Sequence, residues 1–157
     1  MNEANIILDL RPLGEFNRTI NLQLNGHGGG PVMDALKQII IKIRQFWQAW
    51  WRNGGDNWLS LRPQTIRRKG HARILIETGQ MISSIGRDAR IQNGRIVVGI
   101  GEENAQIALW HHTGAGNLPI RKVIPNNIQQ IASPIRQILE TGISRQIRQI
   151  NGRFGNI

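Results

Sequence analysis

Residues 31–52 read PVMDALKQIIIKIRQFWQAWWR, and this stretch decides the fold. Val32, Ala35, Leu36, Ile39, Ile40, Ile43, Phe46, Trp47 and Trp50 recur at steps of three and four, the spacing of one helix face. Pro31 stands where a first helical turn tolerates proline, and Asn53-Gly54-Gly55 supplies the stop. Ile41 and Trp51 lie off the stripe, so the helix carries apolar groups on a second side. That is more than one small core requires, and it predicts cover by a second layer or a neighbouring subunit. Ile41, Trp47, Trp50 and Trp51 are accordingly candidate subunit-interface residues.

Upstream of this helix, Ile6, Leu8 and Leu10 and then Ile20, Leu22 and Leu24 alternate as two strands would, around a turn near Pro12-Leu13-Gly14. Gly26-His27-Gly28-Gly29-Gly30 reads as a flexible linker over residues 26–30; no Gly-Lys-Ser/Thr follows to make it a phosphate loop. Downstream, Pro63 opens a short helix through Lys69. Asn93-Gly94 between Ala89–Gln92 and Arg95–Ile100 is the strongest hairpin signal, because both turn positions need positive φ. Asn104–His112 reads as a helix closed by Thr113-Gly114, and Leu118–Ile124 as a third strand ended by Pro125. A last helix is expected to start with Ser133 as cap and Pro134 at its first position, with Ile135, Ile138, Leu139, Ile143, Ile147 and Ile150 as its stripe. Residues 151–157 form a loose tail. The expected fold is α+β: one domain over residues 1–157, with a small, twisted, mainly antiparallel sheet, a long helix in the N-terminal half and a C-terminal helix packed on it.

At 157 residues and 17.7 kDa the chain suits one domain. It contains no cysteine, which removes disulfide scaffolds, thiolate metal sites and cysteine nucleophiles together. The first residues lack the basic flank and apolar run of a secretory signal, and no apolar run approaches the roughly 20 residues a membrane span needs. Lys and Arg total 20 against 10 acids, and the excess is clustered. Between Lys42 and Arg73 eight basic residues face one acid, Asp56; between Asn104 and Ile157 six face Glu140. Such clustering suits a polyanion, since each neutralised phosphate releases counterions, although a solvated surface has the same composition. Arg62, Arg67, Arg68, Lys69 and Arg73 are the candidate polyanion contacts.

Catalytic chemistry needs converging groups, and the sequence offers none. The histidines are His27, His71 and the pair His111-His112; adjacent histidines on a helix diverge by about 100° and seldom share an ion. The serines lack a nucleophile-elbow pattern, and the acids are scattered. We therefore expect no enzyme, no cofactor, no metal, no membrane and no small-molecule substrate. The tryptophans could stack on bases as in single-strand binders, but three of them lie on the apolar helix, where packing is the simpler use.

From Asn57 to Arg121 the order of residues resembles the Mu-like virion morphogenesis, or tail-completion, proteins of tailed phages. The pattern runs through Trp58, Leu59, Leu61, Pro63 and Thr65, then Lys69-Gly70-His71 and Ile74-Leu75. It continues with Thr78-Gly79-Gln80-Met81-Ile82-Ser83-Ser84-Ile85, Val97-Val98-Gly99, Ile107-Ala108, His111 or His112, Gly114 and Pro119-Ile120-Arg121. Ile107 stands where that family has tyrosine. The resemblance implies a neck protein of the virion, assembled in the host cytoplasm as a six-fold homo-oligomeric ring around the DNA channel. It would join head to tail as an adaptor, stopper or terminator, with a connector or portal-side adaptor and a tail tube or terminator as partners and genomic DNA passing through. A ring needs complementary patches on each subunit. The helix at 31–52 could provide one, and Val97 and Ile100 of the hairpin could pair with a neighbour's sheet edge. The alternative is a nucleic-acid-binding accessory protein without sequence preference.

Overall fold

The computed structural model describes residues 5–9, 30–92 and 95–154. The fold is α+β. Strand β1 (Asn5–Asp9) is followed by helix α1 (Pro31–Arg52), helix α2 (Pro63–Lys69), a single turn α3 (Gln80–Ser83), strands β2 (Arg90–Gln92) and β3 (Arg95–Gly99), helix α4 (Glu102–Thr113) and helix α5 (Ala132–Phe154). The expected second N-terminal strand, the linker at 26–29 and the Asn93-Gly94 turn lie outside the described residues. Among the described residues no helix is long and apolar enough to cross a membrane.

Helix α1 is the spine, as its spacing predicts. Val32, Leu36, Ile39, Ile43 and Trp47 are buried along one face, and Asn53 closes the helix by donating its N–H to the Ala49 carbonyl. One side of α1 meets the sheet and another meets α5, so its apolar girth is covered within the chain. Ile41, 44% exposed, is the exception. The C-terminal helix thus packs on α1 rather than across the strands.

The sheet order is β1-β3-β2, antiparallel throughout, with Ile7 opposite Val97 and Ile91 opposite Ile96. Ile96 and Val98 point to the core, the period-two alternation of a half-buried strand. Because β1 fills its second edge, β3 is central and both of its sides are paired. This corrects the expectation that Val97 and Ile100 sit on a free edge: Val97 is flanked on both sides, and Ile100 is buried beside Ile85 through one further bridge.

Helix α5 starts earlier than expected. A 3-10 turn at Ile128–Ile131 runs straight into Ala132, placing Ser133 and Pro134 inside the first turn, where proline's missing N–H breaks no bond. The helix also continues to Phe154, so most of the expected tail from 151 is helical as far as it is described. Gly142, which reads as a weak point in the helix, has a packing reason. A Cβ there would lie 2.5 Å from Ala35 Cβ and 2.9 Å from the Pro31 carbonyl oxygen. Glycine at this position lets α5 approach the first turn of α1.

Candidate functional site

The site is organised by the extended segment Leu118–Pro125, which is not the strand its sequence suggests. Its backbone groups are bonded chiefly by side chains, not by a strand ladder. The Val123 carbonyl accepts from the Trp47 indole at 2.6 Å and the Trp51 indole at 2.9 Å, and the Lys122 carbonyl accepts from Trp58 at 3.0 Å. On the amide side, Arg121 donates to the His111 carbonyl at 2.8 Å and Val123 donates to His112 Nδ1 at 3.3 Å. Pro119 and Pro125 bracket the segment and cannot donate to a neighbouring strand.

The tryptophans are therefore structural in a specific sense. Trp47 and Trp51 are shut in the core, and Trp50 and Trp58 are nearly so. Trp58 meets Trp50 and Trp51 edge-on, at centroid distances of 5.3 and 6.0 Å. The loop at 53–57 returns the chain to place it, and Trp50 donates its indole N–H to Asp56, which also accepts from Asn126. Trp47, Trp50 and Trp51 are thereby removed from the candidate subunit interface, because their rings and their N–H groups are both spent inside the chain. Ile41 alone of the α1 set remains on the surface.

On its other flank the same segment walls an open cleft of about 1050 Å³. Helix α2, residues 77–81 and one face of α4 form the remaining walls. Asn104, Ile107 and His111 reach it together because positions three and four apart share a helix face. Glu102 and Glu103 suit the first turn of α4, and the Glu102 N–H donates to Asp88. Gly114 ends α4 with φ +77°; a Cβ would strike Ile120 at 2.7 Å.

The cleft is cationic at its base. Arg121 is only 5% exposed, and one of its terminal nitrogens donates to the Leu59 carbonyl at 3.2 Å. Its Nε is buried without a hydrogen-bond partner, and among the described residues no carboxylate forms an ion pair with it. Burial draws its pKa below the usual arginine value, though a guanidinium remains charged at neutral pH. Burial first, then the charges of Arg121 and Lys69, push His111 below the usual histidine value, which favours the neutral imidazole; its Nδ1 is also buried, with no partner among the described residues. Lys69 is lowered chiefly by burial, with Glu77 opposing and Arg68, Arg121 and Arg73 reinforcing.

The candidate polyanion residues divide. Arg62, Arg68 and Lys69 line the cleft, whereas Arg67 and Arg73 are exposed outside it. Arg68 pairs with Glu77 at 3.3 Å on the surface, and Lys69 donates to the Arg73 carbonyl at 2.9 Å, closing the end of α2. The positions that carried the family resemblance also divide. Thr78, Gly79, Met81, His111, Pro119 and Arg121 meet at the cleft, though they span more than forty positions of sequence. Ser84, Ile85, Gly99, Ala108 and Gly114 are not part of its lining. Ser84 and Ile85 are fully buried, with the Ser84 carbonyl accepting from Arg87 and Gly101, and Gly99 accepts from Gly86. Ala108 seats α4 on the core.

Sequence reading missed Asn104 as a cleft residue and the indole bonds to residues 122–123. Five tryptophans without one tyrosine were the available hint, since an indole offers a donor and no acceptor. Among the described residues no three His, Asp or Glu side chains gather as metal ligands. His112 in particular holds its Nδ1 toward the Val123 N–H. No family model, no curated protein and no solved structure matches the chain.

Proposed function

We propose that this chain is a structural subunit of a tailed-phage neck, forming a ring that joins the DNA-filled head to the tail. The supporting observation is the convergence just described: Thr78, Gly79, Met81, His111, Pro119 and Arg121, read in order as part of a neck-protein pattern, line one cleft. The role is assembly, with no bond made or broken. Apolar surface for contacts between chains lies around the cleft and at Ile41, Ile147 and Ile150, not on the tryptophans. Exposed Arg62, Arg67 and Arg73 supply the cationic face toward passing DNA.

Light scattering on a sizing column, at low and high salt and with negative-stain images of large species, tests this reading. A six-fold ring with a central hole is expected. A chain that stays monomeric across concentration and salt, and also when mixed with a connector or tail tube, overturns it. The exposed basic helix favours a second reading, a sequence-indifferent nucleic-acid-binding accessory protein. That reading predicts steeply salt-dependent DNA binding by a monomer or dimer, because each neutralised phosphate adds about 0.9 to the salt slope. Arg67→Ser with Arg73→Ser separates DNA contact from assembly. Weaker DNA binding with an intact ring is expected of a channel subunit.

A further inference from the structure

The cleft joins two features that the described residues do not account for. One is Arg121 at its base, a residue only 5% exposed, with Nε buried and unbonded and, among the described residues, no carboxylate paired with it. An uncompensated buried charge is costly unless an opposite charge completes it. The other is an apolar rim. Leu59 is 67% exposed, Ile107 44% and Leu118 37%, all three at the cleft, and Trp110 lies one turn beyond Ile107 on α4.

We propose that the cleft is a docking groove for an acidic segment of another protein chain, one carboxylate entering to Arg121 while flanking apolar side chains settle on Leu59, Ile107 and Leu118. Charge complementarity selects the carboxylate. Arg121 brings a guanidinium charge to the cleft, and Lys69 on α2 and Arg62 just before it add positive charge. Glu77, the acid on the wall, is already paired with Arg68 at the rim and does not reach the base. The apolar rim selects a polypeptide over nucleic acid. A phosphodiester backbone offers no aliphatic neighbours to cover Leu59 and Ile107, and it is read by rows of exposed cations such as Arg67 and Arg73 rather than by one recessed guanidinium. The volume suits several residues of extended chain and far exceeds the needs of a single small anion.

The test is selection from a random dodecapeptide library on the immobilised full-length chain, followed by calorimetric titration of the most enriched peptide. Asp or Glu flanked by apolar residues should dominate the selected peptides. Replacing that acid by its amide, or Arg121 by Gln, should weaken binding roughly thirtyfold or more. Ile107→Glu, a change at an exposed position, should weaken binding by a similar factor with an unchanged melting temperature. It keeps the test decisive if Arg121→Gln fails to fold. Selected peptides without acids, no selection at all, or equal binding by the Ile107→Glu chain overturns the proposal. Displacement of the peptide by a short DNA duplex at equimolar concentration overturns it too and assigns the cleft to phosphodiester. The inference does not rest on the ring: a ring that forms while peptides fail sinks this proposal alone, and peptides that bind a permanent monomer leave it standing.

Discussion

Arg121 and its two successors share one extended segment and end in opposite conditions. Toward the core, the carbonyls of Lys122 and Val123 receive three indole N–H groups from Trp58, Trp47 and Trp51. Toward the cleft, the side chain of Arg121 keeps a buried Nε with no partner among the described residues. One flank is saturated and closed; the other is charged and open. The difference teaches where this molecule spends its polar groups for stability and where it holds them for something outside itself.

The closed flank should break hardest. Trp47→Ala removes a fully buried ring and one of the two bonds to the Val123 carbonyl, and a loss of about 3–5 kcal/mol is expected in denaturant unfolding. Trp50→Ala and Trp51→Ala should act in the same way, on the monomer's own stability. If either variant instead spared folding and only impaired association, the core assignment would fall. Gly142→Ala tests the neighbouring helix contact. Its Cβ would collide with Ala35 and the Pro31 carbonyl, so a loss of about 1–3 kcal/mol is expected despite alanine's higher helix propensity. Adding Ala35→Gly should recover part of it, and strict additivity in that double-mutant cycle would argue against direct contact.

A pH series sharpens the same comparison, because His111 faces the open flank and His112 the closed one. Burial lowers both, helped for His111 by Arg121 and Lys69 and for His112 by Lys122. A depressed folded-state pKa means that the unfolded chain takes up the proton first. Stability is then complete above the unfolded value of about 6.5 and is lost as pH falls below it toward the folded values. Unfolding followed from pH 8 to pH 5 should show this loss. His112→Gln should flatten the profile at the closed flank, since protonating His112 Nδ1 costs its bond from the Val123 N–H. A profile unchanged by removing either histidine would assign the effect elsewhere. The smallest effect belongs to the rim: Glu77→Gln removes an exposed ion pair with Arg68, and stability should move by no more than about 0.5 kcal/mol in thermal unfolding.

How much of this was legible follows the range of the interactions. The bounds of α1, the Pro63–Lys69 helix and the strands flanking Asn93-Gly94 could be read because proline, glycine and periodic apolar residues act over one or two turns of chain. Leu118–Ile124 misled, because β-branched residues between prolines look like a strand until their hydrogen-bond partners are known. Those partners are indoles 64 to 76 positions earlier. The tryptophans misled similarly: one helix's periodicity cannot say that a third wall, Val123 and its neighbours, will cover the side left over. Gly142 reads as a propensity defect and is a site of close approach, since only the crossing of two helices reveals what its Cβ would strike.

The sequence by itself determined the helical spine, the β3 hairpin, the cationic excess and the absence of thiol chemistry, all of which are local or compositional. Only the tertiary structure decided which apolar groups are core and which are rim, that β3 is central, and that Arg121 ends beside Leu59 with no counter-ion among the described residues. Burial and pairing depend on groups distant along the chain, and a one-dimensional pattern holds no record of which of them meet.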